Sequence, residues 1–220
     1  MKKIVSVASL IIAIAGSSLA AAADLAELGL EKVNESRNSV AHMNLDKDFS
    51  RYDSVVIMDM VIDEVKVKQP RGSAVHRSNW KMDEKRQANA QAMYRKAFER
   101  EFARAEGLEV VEEANANSLI LVARLKEVAP SVGYDPHSYA GRNRVYSEGS
   151  GSASIELFLI DAASGEVVAA AASSRQLGHV WGLSNSVSSR SDAQFALNMW
   201  AKQAREAVEK LPEIASDARD

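Results

Sequence analysis

Ala153-Ser154-Ile155-Glu156-Leu157-Phe158-Leu159-Ile160 runs into Asp161-Ala162-Ala163-Ser164-Gly165-Glu166, and Val167-Val168 then opens an alanine- and serine-rich return through Ser174. Ala153, Ile155, Leu157 and Leu159 alternate with Ser154, Glu156, Phe158 and Ile160, which is the two-residue period of a strand. Gly165 can adopt the positive φ that a short hairpin loop with a bulge demands. Residues 153–174 therefore predict a β-hairpin. A hairpin alone cannot hide its apolar face, so the rest of the chain must supply further strands and something to cover them.

Toward the N-terminus, residues 119–128 read as a further strand with Leu119, Leu121, Ala123 and Leu125 on one face. Residues 108–111 make a short strand behind Gly107. Asp83 is placed to cap a helix running to about residue 105. In that helix Ala90, Met93, Tyr94, Ala97, Phe98 and Phe102 recur at three- and four-residue steps, so one stripe is apolar. Residues 68–82 hold Pro70 and Gly72 and read as a loop. Residues 55–67, dense in β-branched and apolar types, read as one strand. Its even positions, Val56, Met58, Met60 and Ile62, would make a continuous apolar face; its odd positions mix Val55, Ile57 and Val61 with Asp59 and Asp63.

Toward the C-terminus, residues 176–189 form a loop. Ser191 or Asp192 would cap a last helix with Ala193, Leu197, Trp200, Ala204, Ala207, Val208 and Leu211 on one stripe, and Pro212 would stop it. Residues 24–47 are polar with scattered Leu and Val, and suit a short helix or a loosely held arm. The order is β-α-β-β-β-β-α, with the first strand–helix–strand unit expected to cross over right-handed. This predicts an α+β fold: a two-layer sandwich in which two long helices cover one face of a mixed, mostly antiparallel sheet. A single domain is expected over residues 48–212, with a charged tail at 213–220.

The beginning of the chain carries a different message. Lys2 and Lys3 precede an uncharged apolar run over residues 4–15, and small residues follow: Gly16, Ser17, Ser18 and alanines 20–23. This is the layout of a secretory signal peptide, with cleavage frames ending at Ala20, Ala22 or Ala23. The apolar run is shorter than the roughly 20 residues of a bilayer-spanning helix. Residues 1–23 are thus expected to be removed, leaving a periplasmic or secreted protein without a membrane span. The absence of cysteine excludes disulfides, thiolate metal sites, a cysteine nucleophile and lipid attachment through an N-terminal cysteine. Losing Lys2 and Lys3 takes the net charge from −3 to −5. A mildly acidic chain lacks the basic footprint that nucleic-acid binding needs.

Asp48-Phe49-Ser50-Arg51-Tyr52 before an apolar strand, the amphipathic helix, and the Asp161–Glu166 turn with Val167 and Val168 behind it together resemble a bacterial envelope family of unknown function, DUF3313. The resemblance covers residues 48–211. It implies an envelope location and this fold, and it brings no catalytic residues. Members of that family are often lipoproteins, from which this chain departs by lacking the cysteine.

The chemistry-bearing residues form no enzyme signature. His42, His76, His137 and His179 stand far apart, none at metal-ligand spacing, although Asp135-Pro136-His137 could offer two ligands from a loop. Asp59 and Asp63 on one strand would lie about 13 Å apart, beyond the roughly 5–9.5 Å of glycosidase carboxylate pairs. Gly149-Ser150-Gly151-Ser152 is neither a nucleophile elbow nor a phosphate loop, and reads as a flexible entry to the hairpin. No catalytic residue, metal or cofactor is expected. The unusual composition lies in two loops: Tyr134, Tyr139 and Tyr146 interleave with Arg142 and Arg144, and the second loop adds His179 and Trp181. Rings beside guanidinium groups can stack on sugars or peptides, and can equally pack over a sheet edge. The chain is expected to be a non-enzymatic accessory protein contacting an envelope protein or glycan through these loops. The alternative is a hydrolase with a non-standard site around His137 or His179.

Overall fold

A computed structural model describes residues 28–68, 80–131, 146–148, 150–178, 181–183 and 186–218. In chain order these form β1 (Glu31–Ser36), β2 (Ser39–Met43), a 3-10 turn (Phe49–Arg51), β3 (Ser54–Ile57), β4 (Lys66–Val67) and α1 (Glu84–Phe102). Then follow β5 (Glu109–Val110), β6 (Ser118–Pro130), β7 (Tyr146–Glu148), β8 (Gly151–Asp161), β9 (Val167–Leu177), β10 (Trp181–Leu183) and α2 (Ser186–Asp217). The hairpin of residues 153–174 is the centre of the molecule. β8 pairs antiparallel with β9 on one side and with β6 on the other, and Gly165 takes φ +76° in its turn. The main sheet has eight strands in the order β1-β2-β9-β8-β6-β3-β5, with β4 added alongside β6. Only the β3, β4 and β5 pairings are parallel, because β3 and β5 flank the crossover through α1.

Both helices lie on the same face. Tyr94, Phe98 and Phe102 of α1 and Leu197, Trp200 and Leu211 of α2 are buried in one core with Val55, Leu119, Leu121, Ile155 and Val168 of the sheet. The fold is the α+β sandwich that the stripes required. The helices run the same way, since Gln194 Nε2 in the first third of α2 meets the Met93 carbonyl at the middle of α1, and Glu209, further along α2, meets the Glu106 N–H just beyond the end of α1. On the opposite face Ile120, Val122, Phe158, Ile160 and Ala170 form a smaller buried cluster with Leu30. Among the described residues no helix is long and apolar enough to cross a membrane.

Four expectations are corrected. The polar stretch before residue 47, expected as a short helix or loose arm, holds the β1–β2 hairpin, which extends the sheet beyond β9. An edge strand keeps charges such as Lys32 and Glu35 on its open side to discourage further pairing, so its composition imitates a loop. Residues 55–67 are not one strand. Between the pairs Ile57↔Leu121 and Val61↔Arg124, four steps along this segment face three along β6. The extra residue inverts the inside–outside parity. Val55 and Ile57 therefore share the helix-side core with Met60 and Ile62, while Met58 and Val61 turn to the other face.

α2 begins earlier and ends later than its cap and breaker signals suggest. It starts at Ser186, leaving Asp192 within it, and Pro212 is inside it. A proline there costs about 3 kcal/mol of helix propensity. Beyond it Ala215 is fully buried and Ile214 packs on the core, so the apolar stripe continues and offsets that cost. Finally, the described part of the entry to β8, expected as a flexible lead-in, is paired on both sides, with Gly151 opposite Pro130 and Leu177. Gly151 has φ +122°, and a Cβ there would lie 2.1 Å from the Ala129 carbonyl oxygen, so only glycine fits.

Candidate functional site

The two sequence motifs that carry the family resemblance meet each other. Asp48 caps the 3-10 turn by accepting from the Ser50 N–H at 3.0 Å, which aims Arg51 at the hairpin turn. Arg51 Nη2 donates to both oxygens of Asp161, at 2.7 and 2.8 Å. The same carboxylate accepts from the Ala163 N–H at 3.0 Å and the Ser164 hydroxyl at 3.1 Å, and Lys47 Nζ bridges Asp161 and Glu166. Burial opposes the charge on Asp161, yet the Ala163 and Ser164 donors and the two cations outweigh it and hold the carboxyl below the usual aspartate range. Both oxygens of Asp161 are engaged by the chain itself, and the cluster acts as a structural clasp.

The other end of the sheet is built differently. Where β6 and β9 end and β8 begins, a groove of about 1050 Å³ opens between the helices. Its floor is Leu125, Val128, Ala153 and Leu177 of the sheet, and its walls are Met82, Ala90 and Met93 on the α1 side and Leu197 and Trp200 on α2. Trp200 is anchored by its indole N–H, which donates to Ser173 Oγ at 3.1 Å. The volume lies just above the roughly 300–1,000 Å³ typical of small-molecule sites. At the rim stand Lys85, Arg86 and Arg190, and no acidic side chain lines the groove among the described residues. Arg86 lies over the Trp80 ring, 5.1 Å from its centroid, and is paired with Asp83. Lys85 and Arg190 are exposed and without an ion-pair partner among the described residues. Phe195, on the rim, is 58% exposed.

One side of the rim is rigid. Ser150 donates to Asp192 Oδ2 at 2.5 Å, and Gly178 (φ +79°) approaches that carboxylate so closely that a Cβ would lie 2.5 Å from it. Asp192, expected as a helix cap, thus ties α2 to the start of β8. From this rim both loops singled out by composition depart. Their backbones pair as a two-stranded ribbon, with Tyr146 opposite Leu183 and Trp181 opposite Glu148. Tyr134, Tyr139, Arg142 and Arg144, together with Asp135, Pro136, His137 and His179, lie outside the described residues. So does His76, whereas His42 is buried in β2. Asp59 does not pair with Asp63; Arg95 holds it at 2.6 Å and Gln91 donates to it at 2.6 Å. Among the described residues no three His, Asp or Glu side chains gather as a metal site.

The groove itself escaped the sequence reading. Ala90, Met93 and Ala193 sit on the same stripes as Phe98 and Leu211, and a stripe looks alike whether it is covered or open. One signal was present: Phe195 falls off the α2 stripe, two residues before Leu197, and has no core reason to be aromatic.

The solved structures to which the chain is similar are remote. The PelC dodecamer from Paraburkholderia phytofirmans shares 16% identity over 69% of this chain and 88% of that one, with a TM-score of 0.36. Protein XCC0632 from Xanthomonas campestris, of the family DUF330, shares 11% identity over 77% of this chain and 89% of that one, with a TM-score of 0.45. No curated protein matches the chain. The profile of the family described as "Protein of unknown function (DUF3313)" matches residues 20–204, and with the motif clasp and the sandwich both in place the chain belongs to the DUF3313 family.

Proposed function

We propose that this is an exported, non-enzymatic binding protein of the cell envelope that holds its partner at the groove end of the sheet. In this reading residues 1–23 direct export and are removed, and the mature protein is periplasmic or secreted. The loop residues Tyr134, Tyr139, Arg142, Arg144, Tyr146, His179 and Trp181 contact an envelope protein or glycan beside the groove. The observation that carries the reading is the position of the groove: it opens at the end of the sheet from which both loops leave, and its lining has exposed apolar surface and cations. Supporting it, Arg51, Lys47, Asp161 and Glu166 at the opposite end are engaged with one another.

Photo-crosslinking in living cells tests this directly. A photoreactive residue at Phe195 should yield a discrete adduct, and the same residue at exposed Glu106, at the far end, should not. Replacing Tyr139, Arg142 and Trp181 together by alanine should remove the Phe195 adduct. Equal labelling from both positions, or none from Phe195, rejects the assignment.

A further inference from the structure

We propose that the groove takes the hydrocarbon chain of a single-chain anionic amphiphile, of the fatty-acid carboxylate kind, with its headgroup against Lys85, Arg86 and Arg190. This rests on the reading of the groove end as the binding end, and adds the ligand class. The interior offers thioether and aliphatic surface from Met60, Met82, Met93, Leu125 and Val128, and its few amide side chains include Gln194, already hydrogen-bonded to the Met93 carbonyl and to Asn198. A sugar placed there would leave hydroxyls unpaired, which is costly in an apolar site. A hydrocarbon chain has no such groups, and each buried methylene favours entry. Methionine side chains adapt their shape to a flexible chain.

The rim then selects the headgroup. Three cations and no carboxylate face the opening among the described residues, and Lys85 and Arg190 have no internal partner to give up. Asp192, between the lining residues Ser191 and Ala193, does not itself line the groove and is hydrogen-bonded to Ser150. A neutral amphiphile gains the chain contacts alone. An anionic one gains the rim as well, and loses that gain as salt screens it. A small anion without a chain gains only the solvent-exposed charge.

The test uses delipidated mature protein and follows tryptophan emission, since Trp80 and Trp200 both line the groove. Oleate, titrated below its aggregation threshold, should bind saturably at one site. Oleyl alcohol should bind about tenfold more weakly, and acetate should give no response. The exposed double change Lys85→Glu/Arg190→Glu should weaken oleate about tenfold with an unchanged unfolding midpoint. Ala90→Trp, which fills the groove, should abolish binding of both long-chain probes. Equal affinity for oleate and oleyl alcohol overturns the headgroup assignment. Unchanged oleate binding in both variants places the amphiphile elsewhere and overturns the site. If oleate fails to bind while Phe195 still crosslinks a protein in cells, the binding-end reading stands and the amphiphile falls. If neither occurs, both fall.

Discussion

At the end of the sheet where β6 begins and β8 finishes, charges and rings pack closely and leave only a cavity of about 210 Å³ beside Phe49, Tyr52 and Leu119. At the end where β6 finishes and β8 begins, the same two helices stand off the same sheet and leave a groove. Side-chain volume accounts for the difference. Over the closed half, α1 presents Tyr94, Phe98 and Phe102, all fully buried, with centroids 4.5 and 6.4 Å apart. Their rings span the gap between helix and strands. Over the open half the stripe presents Ala90, α2 presents Ala193 and the sheet presents Ala153, and these leave the gap unfilled. Polar chemistry divides the same way. Asp161, Arg51 and Lys47 satisfy one another, as do Glu101 and the arginines around it, whereas Lys85 and Arg190 face outward. One end is finished by the chain itself, and the other is left for something else.

The largest effect should come from breaking the closed end. Asp161→Asn keeps the shape but removes the charge that Arg51 and Lys47 grip. A loss of about 2–3 kcal/mol is expected, because a buried charge-assisted network loses its centre. Urea denaturation at neutral pH measures it. The acid limb gives a second reading. The folded-state carboxyl of Asp161 lies below its ordinary value of 3.8, so its stabilisation is complete above that value. It is lost as pH falls through the lower folded value. The gap between the stability curves of the wild type and of the Asp161→Asn variant should therefore be constant above about pH 4 and close progressively as pH falls below it. A gap that stays constant through the acid limb would mean that the clasp does not hold this carboxyl ionised.

A smaller effect of opposite sign should come from Tyr94→Phe. The Tyr94 side chain is fully buried and its hydroxyl has no hydrogen-bond partner; burial drives its pKa far upward. Removing the oxygen relieves an uncompensated desolvation, so a gain of about 1 kcal/mol is expected in the same assay. A loss instead would show that the hydroxyl is satisfied in solution, and that water reaches the boundary between the closed and open halves.

How much of this could be read from the chain alone depended on whether a signal was local. The alternation from Ala153 to Ile160 with Gly165 behind it specified the central hairpin, and the Tyr94–Phe98–Phe102 spacing specified the helix that covers it. Signals that depend on a distant neighbour were misread. Pro212 stops an isolated helix, but Ala215 finds core beyond it. The parity of residues 55–67 inverts at Asp59 because Gln91 and Arg95, some thirty residues later, hold that carboxylate and Gln91 also accepts from the Met60 N–H. β1 and β2 look like an arm until β9 is beside them. The groove was hidden for another reason: an unfilled space has no residues of its own. Only Phe195 marked it, as an aromatic ring on the wrong side of a stripe.

That ring gives the smallest expected effect and the sharpest check on the contrast between the ends. Phe195 is more than half exposed on the rim. Its replacement by serine removes no buried contact and leaves no cavity, and surface changes of that kind shift stability by no more than about 0.5 kcal/mol. Phe98→Ala, on the sister helix and fully buried, should by the same scale cost several times more. If the serine variant unfolds at the wild-type urea concentration, the ring is free and the groove end is a surface awaiting a partner. A loss above about 1 kcal/mol would mean that Phe195 already packs on the chain in solution. The groove would then be closed from within, and the difference between the two ends would lie only in which residues do the closing.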